Sequence, residues 1–257
     1  MIGVITGDII GSVYEFKKRF PYSFEPLFHP KAKFTDDTIC SLAVMDAILQ
    51  DASPKDTLHS WGREFWSTGG WGKMFVRWLA SKEPEPYGSY GNGAAMRIAA
   101  VGWVGQSVSQ IIEMSDRFTE ITHNHPDGMK SARAVALAVY LARRGMRAED
   151  IREALYEYYD LDFAISDIID DYQRTEVAEE SVPHAIVCAL EATTFEDAIR
   201  KAVSLGGDTD TQAAIAGGIA EARFGIPEDI KEQTLAYLTP KMLDVVETFY
   251  ERYEVRS

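Results

Sequence analysis

The pattern of apolar and polar positions along the chain is mainly helical. Apolar residues recur at helical spacing in residues 39–49, in the Ala-rich stretch 129–144 and in the acidic stretch 148–171. No segment alternates as a β-strand does, so no Asn-Gly pair joins two such segments as a hairpin. Capping residues and prolines predict further helix starts at Ser53, Ser107, Val182, Thr194, Ile226 and Thr239. The sequence therefore predicts an all-α fold.

The first predicted helix carries glycines at every fourth position. Gly3, Gly7 and Gly11 lie among isoleucines and form one smooth stripe, against which another backbone can pack closely. Such a helix is expected to be buried, because close packing must offset the helix-breaking tendency of glycine. Asp8 lies in this helix and either faces solvent or points inward. Glu15 lies at the helix exit, near a possible site.

Residues 206–211, Gly-Gly-Asp-Thr-Asp-Thr, predict half of a metal site. The carboxylates of Asp208 and Asp210 alternate with hydroxyls on a glycine-hinged turn, directly before a small-residue helix. Hard oxygen donors of this kind suit Mg²⁺ or Mn²⁺, and the helix N-terminus favours negative charge. The alternative is an acidic N-cap with nothing bound.

A second acidic helix start repeats this chemistry at Thr35-Asp36-Asp37-Thr38. Residues 17–34 before it are basic, aromatic and rich in proline, which predicts a long irregular loop of the kind that often serves as a lid. If the two acidic starts share one site, residues 1–257 form a single compact domain. The chain shows no repeat, low-complexity tract or linker.

Two further segments are candidates for ligand contact. Gly91-Asn92-Gly93 is a glycine-rich turn that we expect to enter a helix and to present N–H groups to phosphate, although such turns are also common without a ligand. His123 lies in Thr-His-Asn-His-Pro, whose spacing is not that of a zinc site. It either contacts a ligand or caps the helix that follows.

Composition narrows the class of protein. The net charge of -14 argues against nucleic acid or anionic membrane as a partner. No apolar run reaches the ~20 residues that span a bilayer, and Asp8 interrupts the first apolar stretch before a signal-peptide core can form. Cys40 and Cys188 are expected to be buried free thiols. We therefore expect a cytoplasmic protein, and its oligomeric state stays open.

Five motifs in order resemble the ADP-ribosylglycohydrolase family, which includes dinitrogenase reductase-activating glycohydrolase. They are G-D-I-I-G-S-V-Y-E at 7–15, F-T-D-D-T at 34–38, G-N-G-A-A-M-R at 91–97, T-H-N-H-P-D-G at 122–128 and G-G-D-T-D-T at 206–211. The resemblance implies an all-α fold with a cleft that holds two Mg²⁺ or Mn²⁺ ions. The metal ligands that it implies are Thr35, Asp36, Asp37, Asp208, Asp210 and Thr211.

The same resemblance implies roles around the metals. Glu15 matches a mobile glutamate at the cleft mouth, and Asp37 and Asp210 join it as the implied catalytic residues. The residues implied to contact ADP-ribose are Gly91, Asn92, Gly93, Met96 and His123.

Three functions agree with the sequence. The first is metal-dependent removal of ADP-ribose from a modified protein side chain such as arginine. The second is hydrolysis of a small derivative such as O-acetyl-ADP-ribose. The third is ADP-ribose binding or a structural role without catalysis, against which the complete set of metal-binding oxygens argues.

Overall fold

The computed structural model describes residues 1–16 and 19–253, and within these ranges the regular structure is helical apart from one isolated bridge between Gly91 and Val177. The predicted all-α class is confirmed. The first helices are α1 (Ile2–Gly11), α2 (Asp36–Gln50), α3 (Pro54–Glu64), α4 (Lys73–Ala80), α5 (Ala99–Val104), α6 (Val108–Thr119) and α7 (Pro126–Arg143). They are followed by α8 (Ala148–Ala154), α9 (Ile165–Ile168), α10 (Ala178–Glu191), α11 (Phe195–Leu205), α12 (Thr209–Phe224), α13 (Glu228–Leu235) and α14 (Pro240–Tyr253).

The helix pair α1 and α12 lies at the centre of the fold. Every residue of α1 is buried, as the sequence predicts, and its glycines face the backbone of α12. A methyl group at Gly7 would lie 1.9 Å from the carbonyl oxygen of Ala213. The hydroxyl of Thr209 donates to the carbonyl of Gly11 at 2.8 Å, where the two helices meet near the site. Only glycine permits this separation between the two backbones.

The other helices surround this pair and share one apolar core. Helices α11, α10 and α7 pack on α12, while α2 packs on α1 and on the C-terminal helix α14. Cys40 and Cys188 are buried and free, as predicted. Within the described ranges, none of the helices combines the length and the apolar character that crossing a bilayer requires.

Most of the predicted helix starts are confirmed by capping contacts. Four hydroxyls each accept a hydrogen bond from the backbone N–H three residues later, those of Ser53, Ser107, Thr194 and Thr239. The start at Val182 is wrong, because α10 begins at Ala178. Its first turn is fixed by a tertiary contact, in which the N–H of Ala178 donates to the carbonyl of Tyr90 at 3.0 Å. Capping signals in the sequence do not encode such a contact.

The stretch 148–171 is less helical than its pattern predicts. Helices cover only Ala148–Ala154 and Ile165–Ile168. Between them, the N–H of Asp162 donates to the side chain of Asp160 at 3.0 Å, and the carbonyl of Leu161 accepts from the Arg152 side chain. Local side-chain bonds of this kind compete with helical hydrogen bonds.

The loop before α2 is irregular, as predicted, and its described part is fastened to α11. The guanidinium of Arg200 donates to the carbonyl of Phe24 at 2.7 Å and to the carboxylate of Glu25 at 3.0 Å. The hydroxyl of Tyr22 donates to Asp197 at 2.9 Å. Residues 17 and 18 lie outside the described ranges, so a lid role for residues 17–34 stays a prediction.

The close contact between α1 and α12 makes a testable prediction. Gly7→Ala should lower the free energy of unfolding by roughly 3 kcal/mol or more, because the new methyl group meets backbone that cannot yield. Gly72→Ala is the matched control, since nothing lies within 4 Å of a methyl group there. The control should cost at most ~1 kcal/mol, the loss of a glycine N-cap. Urea titrations that show equal losses would contradict this packing.

Candidate metal centre

Six carboxylates from α1, α2, α12 and the adjoining turns form what we call the acidic cluster. Its members are Asp8, Glu15, Asp36, Asp37, Asp208 and Asp210. Oxygens of Asp8, Asp37 and Asp210 all lie within 4.8 Å of one another, and so do oxygens of Glu15, Asp208 and Asp210. The two sets share Asp210. Each set is a group of carboxylates that could hold a cation.

Asp8 is fully buried, so the alternative in which it faces solvent is wrong. Its carboxylate crosses from α1 to the start of α2, where it accepts from the N–H of Thr35 at 2.8 Å and from the N–H of Thr38 at 3.1 Å. The hydroxyls of Thr35 and Thr38 donate to it as well. Asp8 therefore satisfies backbone donors at the N-terminus of α2 and fixes that helix against α1.

The first turn of α2 presents Asp36 and Asp37 to the cluster. Thr35 is the N-cap, and its hydroxyl oxygen accepts from the N–H of Asp37. One oxygen of Asp37, Oδ2, lies 3.2 Å from the Thr35 hydroxyl, whose single proton goes to the nearer Asp8 carboxylate. The other oxygen, Oδ1, is buried and has no hydrogen-bond partner among the described residues. A buried carboxylate oxygen of this kind requires a partner, and a metal ion is one that the site can hold.

The turn before α12 places Asp208 and Asp210. Gly206 and Gly207 have φ values of 77° and 82°, which favour glycine, and they turn the chain into the helix. Asp208 occupies the N-cap position, yet its side chain makes no capping hydrogen bond. It accepts instead from the side-chain amide of Asn92 at 2.6 Å. Asp208 is therefore not an ordinary acidic N-cap, which was the alternative to a metal ligand.

Burial and mutual repulsion shift the titration of the cluster. Burial is the largest cause at Asp36 and Asp208 and raises their pKa values to about 7 and about 6. The pKa values of Asp37 and Asp210 are also raised well above the usual range, again through burial first and then through neighbouring carboxylates. Without a cation, the fold therefore favours protonated carboxyls, so cation binding must displace protons.

Glu15 lies at the edge of the cluster, next to a guanidinium. Arg174 donates to Glu15 at 3.2 Å and to Glu176 at 2.8 Å, and it also stacks over the ring of Phe16. Burial raises the pKa of Glu15, and the contact with Arg174 opposes that rise. Phe16 is anchored by its N–H, which donates to the carbonyl of Gly207 at 3.0 Å. Glu15 is thus joined to the turn before α12.

The loop at residues 91–93 differs from the expected phosphate cradle. It leads into a 3₁₀ turn, Ala95–Arg97, rather than directly into an α-helix. The Arg97 side chain donates to the carbonyl of Gly93, which in an α-helix would accept a backbone hydrogen bond. The N–H of Gly91 donates to the Ser89 hydroxyl and that of Asn92 to the carbonyl of Glu176. Among the described residues, only the Gly93 N–H of these three has no partner.

The remaining candidate residues line the interior side of that loop. His125, not His123, caps α7, since its Nδ1 accepts from the N–H of Asp127. His123 is buried against Gly93, and a methyl group at Gly93 would lie 3.2 Å from its Nε2. The sulfur of Met96 lies 3.9 Å from the hydroxyl of Thr211. These contacts connect the loop to the acidic cluster.

The donor set fits a divalent cation. Carboxylates and threonine hydroxyls are hard oxygen ligands of the kind that Mg²⁺ and Mn²⁺ prefer. The N-termini of α2 and α12 both carry cluster residues, which lowers the cost of collecting negative charge. Among the described residues, the buried Oδ1 of Asp37 has no hydrogen-bond partner, so protein contacts leave this oxygen unsatisfied.

Comparison with known proteins decides the family. The model of the ADP-ribosylglycohydrolase family matches residues 1–257. The chain belongs to the ADP-ribosylglycohydrolase family. The resemblance seen in the sequence motifs is therefore confirmed.

Individual proteins that the chain resembles carry names from the same family. Human ADP-ribosylhydrolase ARH3 is 27% identical, over 92% of this chain and 88% of the relative. The ADP-ribosyl-[dinitrogen reductase] glycohydrolase of Rhodospirillum rubrum is 24% identical, over 94% of this chain and 89% of the relative. A solved ADP-ribosylglycohydrolase-related protein complex superposes with a TM-score of 0.73 at 25% identity, covering 97% of this chain and 95% of that chain.

The structure brings the family motifs to one place and adds residues that the sequence did not suggest. Asp8 and Arg174 were not among the predicted site residues, although both contact it. A signal for Asp8 existed, because a carboxylate on a helix predicted to be wholly buried needs partners. No sequence signal identified Arg174. Asp36 is outside both oxygen sets among the described residues, and the charges of Asp8 and Asp208 still raise its pKa.

The raised pKa values predict that metal stabilisation depends on pH. The folded protein without metal holds protons that the unfolded chain has released, so its stability falls as pH rises from about 4 to about 7. A cation needs the deprotonated carboxylates, so its benefit grows over the same range. The rise in melting temperature caused by Mg²⁺ should be larger at about pH 8 than at about pH 5. An equal rise at both pH values would contradict this account.

Asp37→Asn tests the unpartnered oxygen. In chelator, the variant should melt near the wild-type temperature, because the raised pKa of Asp37 already favours a neutral side chain. With Mg²⁺ at 100 times Kd, the wild type should gain about 2.7 kcal/mol per bound ion and the variant much less.

The control for this variant is Asp46→Asn in the same helix. Asp46 accepts from the Trp61 indole at 2.8 Å, and it is in neither oxygen set of the described cluster. The Asp46→Asn variant should lose ~1 kcal/mol of folding stability, and the loss should be the same in chelator and in Mg²⁺. Thermal melts in which Asp37→Asn behaves like this control would assign Asp37 to structure alone.

Proposed function

We propose that this protein hydrolyses the glycosidic bond between ADP-ribose and a modified protein side chain such as arginine, with two Mg²⁺ or Mn²⁺ ions bound by the acidic cluster. The observation that carries the proposal is the pair of carboxylate sets that meet at Asp210, together with the buried, unpartnered oxygen of Asp37. Family membership supports chemistry on ADP-ribosyl linkages. The cation ligands in this proposal are Thr35, Asp36, Asp37, Asp208, Asp210 and Thr211.

The cluster has the properties that glycoside cleavage needs. The reaction passes through an oxocarbenium-like state, which requires a positioned water, a proton acceptor and stabilisation of positive charge at the sugar. A cation bound here would polarise a water or a ribose hydroxyl and favour its deprotonation. In this proposal, the carboxylates of Asp37 and Asp210 accept that proton and hold the ribose. Their negative charge also stabilises the cationic sugar.

Glu15 suits proton transfer at the leaving group. Its pKa is raised by burial, which keeps a larger share of this carboxyl protonated than in an ordinary glutamate and so available to give a proton. Its neighbour Arg174 shows that this carboxylate already holds one guanidinium. A substrate arginine carries the same group, so the chemistry of Glu15 is compatible with an arginine linkage. The Rhodospirillum rubrum relative, an ADP-ribosyl-[dinitrogen reductase] glycohydrolase, is likewise named for action on a modified protein.

Substrate contacts in this proposal come from the loop at residues 91–93 and its neighbours. Gly91 and Asn92 shape the loop, Gly93 offers its N–H, and Met96 and His123 lie beneath it. Asn92 has a further role, because its amide holds Asp208 in the acidic cluster. In this proposal, Asn92 therefore both shapes the loop that binds ADP-ribose and positions a carboxylate of the acidic cluster.

The linkage is tested by a panel of substrates. Protein-linked ADP-ribosyl-arginine, ADP-ribosyl-serine and O-acetyl-ADP-ribose should be incubated with the protein in Mg²⁺ and in chelator. Release of ADP-ribose from the arginine conjugate, only with metal, supports the proposal. If only O-acetyl-ADP-ribose is turned over, the substrate is a small ADP-ribose derivative and not a modified protein. Binding of ADP-ribose without turnover of any substrate would favour a binding protein.

Glu15→Gln tests proton transfer. The variant should lose turnover by at least ~100-fold while binding ADP-ribose nearly as well, because a missing acid or base affects the transition state more than the ground state. Glu176→Gln is the matched control, since Glu176 contacts the same guanidinium and is in neither oxygen set of the described residues. The control should retain most of its turnover. Equal losses of binding and turnover in Glu15→Gln would remove Glu15 from the chemistry.

A further inference from the structure

A chain of buried side chains runs beneath the loop at residues 91–93. Arg97 donates through one terminal nitrogen to the carbonyl of Gly93 at 3.0 Å and through the other to the hydroxyl oxygen of Thr122 at 2.7 Å. That oxygen lies 2.8 Å from Nδ1 of His123. All three side chains are buried. The hydrolysis proposed above needs a bound ADP-ribosyl group but does not explain this arrangement.

The hydrogen-bonding capacities of the three groups decide where the protons lie. The guanidinium of Arg97 can only donate, and the hydroxyl of Thr122 has a single proton to give. Among the described residues, that hydroxyl contacts only Arg97 and His123. If Nδ1 carried a proton, the hydroxyl proton would be buried without an acceptor, which is costly. If Nδ1 is bare, the hydroxyl donates to it and every group is satisfied.

The proton of the imidazole then lies on Nε2. A doubly protonated ring is disfavoured as well, because burial and the nearby charge of Arg97 hold the pKa of His123 well below its usual value. Nε2 lies against Gly93, 3.2 Å from the position of a methyl group there, and has no hydrogen-bond partner among the described residues. The Gly93 N–H has none within the same ranges. Gly93 itself is partly exposed.

We propose that Arg97 and Thr122 are positioning residues that hold His123 as its Nε2–H tautomer. The proposed function already places His123 and Gly93 at the ADP-ribosyl group, and this tautomer makes Nε2 a second N–H donor beside that of Gly93. The identity of the ligand rests on the proposed function. The tautomer does not, since it follows from the contacts of the protein alone. Two adjacent neutral donors match an oxygen acceptor such as a phosphoryl oxygen. Thr122 also fixes the loop itself, because its carbonyl accepts from the N–H groups of Tyr87 and Ser89.

The tautomer can be measured without substrate, metal or activity. Long-range ¹H–¹⁵N NMR of histidine-labelled full-length protein distinguishes a bare ring nitrogen from a protonated one, and His123→Gln assigns the signals among the five histidines. Wild-type His123 should show a bare Nδ1 and a protonated Nε2. A proton on Nδ1, or on both nitrogens near neutral pH, would overturn the proposal. This measurement needs no destabilised variant.

Thr122→Val tests the role of the hydroxyl. The variant should lose the tautomer preference and bind ADP-ribose about tenfold more weakly, the loss expected for one misdirected hydrogen bond. Thr122→Ser keeps the hydroxyl and should restore both. Thr119→Val is the matched control, since Thr119 is equally buried and its hydroxyl has no partner among the described residues. It should leave both readouts unchanged.

The outcomes distinguish a failure of the positioning role from a failure of the proposed function. An unchanged tautomer and unchanged ADP-ribose affinity in a folded Thr122→Val protein would overturn the positioning role. If that variant does not fold, Thr122→Ser and the wild-type spectrum decide the tautomer. If the wild-type protein has the Nε2–H tautomer but does not bind ADP-ribose, the two-donor site and the proposed function are both contradicted. If it binds ADP-ribose with the proton on Nδ1, only the positioning role of Arg97 and Thr122 is contradicted.

Discussion

The site depends on how closely α1 approaches α12. Glycines on α1 let its backbone contact the carbonyls of α12, and this contact runs up to Gly11, where Thr209 donates across the helix pair. Asp8 on one helix and Asp210 on the other are thereby brought within 4.8 Å. A wider separation would place their carboxylates too far apart to share ions or neighbours. The packing of small residues therefore decides the chemistry as well as the stability of the fold.

Gathering so many carboxylates in a buried place is unfavourable, and the fold opposes the cost in several ways. Helices α2 and α12 both begin at the site, so their N–H groups and dipoles favour negative charge. Asp8 is satisfied by Thr35 and Thr38, and Asp208 by Asn92. Among the described residues, Asp37 Oδ1 still has no partner, and burial followed by mutual repulsion still raises the pKa values. Bound cations would remove both, which is why we regard metal binding as part of folding stability here.

Local patterns predicted much of this arrangement. The glycine stripe on α1 predicted close packing, and the acidic starts of α2 and α12 were recognised because capping and charge signals lie within a few residues. Contacts between distant segments were not predictable in the same way. Nothing near Asn92 in the sequence indicates that its amide holds Asp208, which is 116 residues away. Similarly, Pro183 suggested a helix start, whereas a contact to Tyr90 places the start of α10 earlier. Periodicity and capping describe one element at a time, whereas the partners of a buried charge depend on the whole fold.

The central claim is that the acidic cluster binds two divalent cations that share Asp210. The most direct test is X-ray diffraction from crystals of the protein soaked in Mn²⁺, with anomalous difference maps that locate the ion independently of any assay. The account predicts two anomalous peaks, one contacted by Asp37 and the other by Asp208, with Asp210 reaching both. Maps with no peak at the cluster, while Mn²⁺ binds elsewhere on the same molecule, would contradict it.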